Sequence, residues 1–179
     1  MKALITGITG FVGSHLAELL IEKGVEVYGF ARWRSPMDNI EHIKDKIKMY
    51  YGDLLDYPSV YACIFEMRQK LVDYIFHLGA QSYVPYSFIA PVSTLDINGI
   101  GTCNLLEAIR RLHGKVDIDK FFVPVVHICS SSEVYGQVRE EDVPITEDCP
   151  LRPASPYGIS KVCEDLLALN WNMLTILFS

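Results

Sequence analysis

Ser131, Tyr157 and Lys161 are the residues whose types and spacing carry the most chemistry in this chain. They lie in Ser130-Ser131-Ser132-Glu133-Val134-Tyr135-Gly136 and in Tyr157-Gly158-Ile159-Ser160-Lys161. A Tyr and a Lys four positions apart share one helix face, which sets the ammonium beside the phenol. A neighbouring cation lowers a phenol's pKa and suits it to take a proton from a hydroxyl near neutral pH. Just upstream, Ser155-Pro156 supplies an N-cap and a first-turn proline, so a helix is expected to begin where the pair needs it. The spacing alone occurs by chance in many helices. It gains weight from a second signal at the start of the chain.

That signal is Thr6-Gly7-Ile8-Thr9-Gly10-Phe11-Val12-Gly13, which follows the apolar run Ala3-Leu4-Ile5. It opens an amphipathic segment expected to place Val12, Leu16, Leu19 and Leu20 on one face, with Gly24 as its stop. Glycines permit a tight turn and close backbone approach, and the helix start that follows offers free N–H groups to a pyrophosphate. The spacing is G-x-x-G-x-x-G rather than the common G-x-G-x-x-G dinucleotide fingerprint. The competing reading is a strand–helix turn that binds nothing; the strand before and helix after argue against it.

The elements that must position these groups are bounded by composition. A chain of 179 residues, half of them hydrophobic, is long enough for one well-buried domain, expected over residues 1–179. A net charge of −6 without a basic run argues against nucleic acid or an anionic membrane surface as a partner. No stretch has the length of a spanning helix, and the N-terminus does not read as a signal peptide. Five scattered cysteines without C-x-x-C read as reduced thiols in a cytoplasmic protein. Neither they nor the dispersed histidines suggest a metal site.

Apolar, β-rich runs recur at 2–6, 25–30, 48–51, 73–78 and 121–129. Between them lie helical patterns, one with Val60, Cys63, Ile64 and Met67 at i, i+3, i+4, i+7, another over 91–111 with Leu95, Leu105, Leu106 and Ile109. Alternating strands and helices imply an α/β fold, a doubly wound parallel sheet of the Rossmann type. Its ligand crevice would lie at the strands' C-terminal ends, and Gly7, Asp53, Gly79 and Ser131 all fall just past such ends.

In order along the chain, TGITGFVG (6–13), GDLLD (52–56), HLGAQS (77–82), DINGIGTCNLLEA (96–108), SSSEVYG (130–136) and YGISK (157–161) resemble the extended short-chain dehydrogenase/reductase family. The likeness is to its nucleotide-sugar dehydratases, epimerases and reductases. It implies that Gly7, Thr9, Gly10, Phe11, Val12 and Gly13 hold the cofactor along the first turn, with the glycines cradling its pyrophosphate. Asp53 and Leu54 would flank the adenine, and Leu78, Gly79 and Ala80 the adenosine ribose. Lys161 would hold the nicotinamide ribose, Tyr157 would be the acid/base, and Ser82, Ser131, Ser132 and Glu133 would face the sugar nucleotide. Asn98 matches the pattern too, although a structural hydrogen bond serves equally well. The resemblance also implies a homodimer or higher homo-oligomer formed through the segments 91–111 and 157–170.

The end of the second strand reads Tyr28-Gly29-Phe30-Ala31-Arg32-Trp33-Arg34-Ser35. It lacks the carboxylate that NAD enzymes place there and offers Arg32 and Arg34 to a 2′-phosphate, so NADP is expected, with NAD the alternative. The pattern resembles the Arg-Arg-Ser of GDP-mannose dehydratases. Glu133 occupies the slot of the extra base in 4,6-dehydratases, with Ser131 in place of their usual Thr. The expected reaction is therefore an NADP-dependent 4,6-dehydration of a nucleotide sugar, GDP-mannose first. A 4-epimerase, a GDP-4-keto-6-deoxymannose reductase and a cofactor-binding but inactive domain stay open. Family members are longer, so their C-terminal substrate domain is expected to be missing. The segment 171–179 is atypical, its LTILFS reading as a displaced strand or the product of truncation or a frame change.

Overall fold

In the computed structural model, residues 1–177 are described, with side chains through Trp171. The chain divides into two compact units, Met1–Gly79 with Asn104–Cys129, and Ala80–Cys103 with the residues from Ser130 onward.

The first unit is built on a parallel sheet of β1 (Lys2–Thr6), β2 (Glu26–Ala31), β3 (Ile47–Tyr51), β4 (Tyr74–His77) and β7 (Val125–Ile128), in the order β3-β2-β1-β4-β7. Period-2 alternation divides the strand residues between two cores. Leu4, Tyr28, Phe30 and Ile75 pack with Val60, Cys63, Ile64 and Met67 of α2 (Tyr57–Lys70), and with Leu105, Ile109 and Leu112 of α5 (Gly101–Leu112). Ile5, Val27 and Ala31 pack on the other face with Ala17 of α1 (Phe11–Glu22) and with Ile40 and Ile43 of a 3₁₀ helix, Asp38–Lys46. Helices on both faces make the sheet doubly wound, and its order reverses between β1 and β4. At the end of α1, Gly24 adopts φ +73 and its N–H donates to Ile21 O, the glycine stop read from the sequence.

Three expectations change. Residues 121–129 are not one strand, because Pro124 lacks the N–H a ladder needs. Phe121 and Phe122 belong to β6 (Lys120–Phe122), antiparallel to β5 (Gly114–Asp117), and the sheet resumes at β7. On α1 Leu16 and Leu20 pack against the core as expected, but the fully buried positions are the small Gly13, Ser14 and Ala17, and Val12 and Leu19 are exposed. The segment 91–111 is interrupted. It comprises α4 (Pro91–Leu95), a π turn at Asp96–Ile100 and α5, and is preceded by a short α3 (Val84–Ile89) that periodicity did not suggest.

The second unit is organised on α6 (Pro156–Leu177). Its interior holds small polar side chains, among them Ser87, Thr94, Asn98, Thr102 and Ser160, each fully buried. Asn98, in the π turn, accepts from Gln81 N at 2.8 Å and donates to Gln81 O at 3.0 Å and Ser160 Oγ at 2.8 Å. The structural role weighed for Asn98 is therefore realised. Residues 174–177 continue α6 rather than forming a strand, and Phe178 and Ser179, the end of the atypical segment, lie outside the described residues. No helix of the described residues is long and apolar enough to cross a membrane.

Candidate functional site

The first turn of the first unit is sealed by its own backbone. Gly7 has φ +68, and a Cβ there would lie 2.8 Å from Gly79 Cα and N. One at Gly13 would lie 2.4 Å from Gly7 O, whereas one at Gly10 meets only that carbonyl, at 3.2 Å. Gly7 and Gly13 therefore close the turn, and Gly10, the exposed N-cap of α1, leaves the helix start open to a phosphate. Thr9 is held by Asn39, whose Nδ2 donates to its carbonyl at 2.9 Å, and Phe11 and Val12 project outward.

Thr6 and His77, to which the sequence reading gave no role, fix the facing turn. Thr6 Oγ1 accepts from Leu78 N at 3.2 Å and Gly79 N at 3.0 Å, and His77 Nδ1 lies 2.8 Å away. With both lone pairs used, the hydroxyl proton points to Nδ1, which makes that nitrogen the acceptor and fixes the ring's tautomer. The signal was available: a Thr at the end of β1 and a His at the end of β4, paired in register.

At the neighbouring strand ends, Arg32 and Arg34 are exposed and form no ion pair among the described residues. Gly52 N donates to Ala31 O at 3.1 Å, so the chain leaves β2 and β3 side by side. Asp53 Oδ1 accepts from Leu55 N at 3.0 Å. One oxygen of this carboxylate thus closes its own turn, and the second accepts no hydrogen bond among the described residues. Leu54 packs against the apolar core. An open helix start after β1 and exposed arginines past the end of the adjacent β2 fit a phosphorylated dinucleotide.

The second unit gathers the residues read as chemical. Ser155 Oγ accepts from Gly158 N at 2.9 Å, the N-cap expected from Ser155-Pro156. The same hydroxyl donates to Glu133 Oε2 at 3.3 Å. Ser131 Oγ accepts from Glu133 N at 3.2 Å and opens a 3₁₀ turn, Ser132–Val134, that packs on the start of α6; a Cβ at Gly158 would come within 2.7 Å of Glu133 O. Tyr157 is 8% exposed, with Lys161 Nζ 5.8 Å from its ring centre, and its hydroxyl forms no hydrogen bond among the described residues. A phenol held this way needs an outside partner. Ser82 and Ser132 are exposed and Ala80 is half-buried.

Glu164 is the residue that sequence reasoning missed here. Fully buried one turn beyond Lys161, it places its carboxylate oxygens 2.9 and 3.0 Å from Nζ. Burial pushes its carboxyl up to about 7, against the opposing pull of Lys161. The i,i+3 spacing from Lys161 was its only sequence signal.

The family model described as GDP-mannose 4,6 dehydratase matches residues 4–178. The chain is 42% identical to a GDP-mannose 4,6-dehydratase of Vibrio cholerae serotype O1, covering 94% of this chain and 45% of that protein. It is 39% identical to the human GDP-mannose 4,6 dehydratase, covering 99% of this chain and 47% of that protein. It thus spans about half the length of the curated relatives it matches. Among solved structures, the dTDP-glucose 4,6-dehydratase DesIV of Streptomyces venezuelae, with NAD and TYD bound, superposes with a TM-score of 0.79 at 28% identity over 97% of this chain and 52% of that one. The Thermus thermophilus UDP-glucose 4-epimerase in complex with NAD gives a TM-score of 0.77 at 29% identity, over 97% of this chain and 51% of that one. With the doubly wound sheet, the glycine turn and the Tyr157–Lys161 helix already in place, these matches identify the chain as a member of the GDP-mannose 4,6-dehydratase family within the extended short-chain dehydrogenases.

Proposed function

We propose that the chain carries the cofactor-binding and proton-transfer apparatus of an NADP-dependent nucleotide-sugar 4,6-dehydratase, with GDP-mannose as substrate. The observation that carries this reading is the start of α6, where Ser155, two positions before Tyr157 with its unpartnered phenol, both caps the helix and holds Glu133. Epimerisation at C4 needs a hydroxyl and a phenol; loss of water across C5–C6 also needs a base at C5, and Glu133 is that base.

Gly7, Gly10 and Gly13 would hold the cofactor pyrophosphate, with Thr9, Phe11 and Val12 along the same turn. Arg32 and Arg34 would hold the 2′-phosphate, Asp53 and Leu54 the adenine, Leu78, Gly79 and Ala80 the adenosine ribose, and Tyr157 and Lys161 the nicotinamide end. Bound there, the nicotinamide ring would supply the acceptor for hydride from C4 of the sugar and the donor for its return to C6. Tyr157 takes the C4 hydroxyl proton, and Ser131 hydrogen-bonds that oxygen. The resulting ketone acidifies C5; Glu133 would remove that proton and pass it to the leaving C6 hydroxyl, which departs as water, and when hydride returns to C6 Tyr157 would give the proton taken from the C4 hydroxyl to C5. Ser82 and Ser132 line the substrate. Both the NAD-bound structural relatives and the unpaired arginines support a nicotinamide cofactor, and the arginines favour the 2′-phosphorylated form. Unbridged thiols at all five cysteines support the cytoplasm as its compartment.

Incubation with GDP-mannose and catalytic NADP⁺ tests the reading. The expected product is lighter by about eighteen mass units, one water. Glu133→Gln should spare oxidation and slow elimination, while Tyr157→Phe slows oxidation itself. An unchanged mass with inverted stereochemistry would make it an epimerase, and stoichiometric NADPH consumption on a 4-keto sugar a reductase. Cofactor binding without turnover would leave the chain a binding domain.

The partner is proposed to be a second copy. The exposed apolar residues Ile89, Val92 and Ile100, and Ile159, Leu166 and Leu169 of α6, offer an apolar surface for it. Sedimentation at high micromolar concentration should show a dimer, and a persistent monomer sinks this assignment.

A further inference from the structure

Trp33 is 77% exposed, at the first central position of a turn closed by Ser35 N donating to Arg32 O at 3.0 Å. An indole this exposed forgoes most of the burial that usually retains tryptophan. Its one aromatic contact among the described residues is Tyr51, at the end of β3, with ring centres 5.0 Å apart and planes at 76°. Tyr51 is itself 44% exposed. Arg32 and Arg34 flank the indole in sequence without an ion-pair partner among the described residues. Asp53, whose second carboxylate oxygen is uncommitted, follows Tyr51 by two positions. An exposed π-face between two uncompensated guanidinium groups is the arrangement by which proteins hold a base next to a phosphate.

We propose that Trp33, braced edge-on by Tyr51, is the stacking surface for the adenine of a 2′-phosphorylated adenine nucleotide, with Arg32 and Arg34 binding its 2′-phosphate. This rests on the NADP reading and goes beyond it. Recognition by arginines alone would be insensitive to the indole, whereas here the base and the phosphate are read by adjacent residues of one turn. Selectivity for the 2′-phosphate then belongs to the arginines, and a share of the affinity common to all adenine nucleotides belongs to Trp33.

The probes are adenosine 2′-monophosphate, adenosine 5′-monophosphate and NADP⁺, none of which requires turnover. In a Trp171→Phe background Trp33 is the sole indole, since the chain has two tryptophans. Adenosine 2′-monophosphate should quench its fluorescence and bind more tightly than the 5′-isomer. Trp33→Ala should weaken both nucleotides about tenfold, and Trp33→Phe should restore part of that loss. Arg32→Gln should abolish the preference for the 2′-isomer while keeping the quench. Calorimetry separates the two levels. Unaltered NADP⁺ affinity in Trp33→Ala overturns the stacking role and leaves the NADP reading intact. Failure of the unsubstituted chain to bind either NADP⁺ or adenosine 2′-monophosphate overturns both. Equal affinity for the two monophosphates overturns the assignment of Arg32 and Arg34.

Discussion

A Cβ added at Gly13 would press to 2.4 Å from Gly7 O and one at Gly7 to 2.8 Å from Gly79, whereas one at Gly10 finds its nearest neighbour at 3.2 Å. Residues that look equivalent in a motif therefore answer to different constraints. Gly7→Ala and Gly13→Ala should fail as folded proteins or lose several degrees of thermal stability. Gly10→Val should fold with a loss on the order of 1 kcal/mol from the poorer N-cap, yet lose NADP⁺ binding, because its side chain occupies the space a phosphate needs. Thermal denaturation beside calorimetry reads both outcomes; retained binding in Gly10→Val would remove the phosphate site from this helix start. Thr6→Val tests the facing turn. It takes the shared acceptor from Leu78 N and Gly79 N at nearly constant shape, so urea denaturation should report a loss of about 1–3 kcal/mol. Amide exchange should quicken at those two positions first.

The strands and most helices were legible because local patterns agree with tertiary demand. Val60, Cys63, Ile64 and Met67 fall on the buried face of α2, and Gly24 ends α1. Where the sequence misled, a stronger constraint won. Pro124 broke an apolar run that otherwise reads as one strand. On α1 the large Leu16 and Leu20 pack partly buried against the core, but its fully buried positions are the small Gly13, Ser14 and Ala17, and Val12 and Leu19 turn outward. In the candidate site, helix spacing and the Ser155-Pro156 cap singled out Tyr157 and Lys161, and the family resemblance supplied their expected roles. The Glu133 contact with Ser155 and the burial of Glu164 arise from folding between distant segments, which periodicity does not encode. The π turn shows what such long-range contacts are worth. Asn98 closes three hydrogen bonds across 17 and 62 residues of chain. Asn98→Ala strands buried polar groups on both partners and should cost about 2 kcal/mol or more, measured by denaturant midpoint. A change within a few tenths would mean that water replaces the amide freely.

For the whole molecule, the buried Glu164 ties stability to pH in an unusual direction. Its folded pKa of about 7 lies above the ordinary value of 4.5. Between those values the unfolded chain gives up a proton that the folded chain keeps, so this group stabilises fully below about 4.5 and loses its contribution as pH rises through 7. The stability of the unsubstituted chain minus that of Glu164→Gln should fall from acid toward neutral pH; a flat difference would show that the carboxyl ionises as freely as in water. A second consequence follows from where the sheet stops. β7 pairs with β4 alone among the described residues, and residues 123–129 carry no Asp, Glu, Lys or Arg while Val125 is 61% exposed. Uncharged edges of this kind template further strands. At high concentration the chain should form fibrillar assemblies that bind thioflavin, grow faster when seeded, and show an intermolecular β band in the infrared. A lysine at Val125 should lengthen the lag before that growth and leave any helix-mediated dimer untouched.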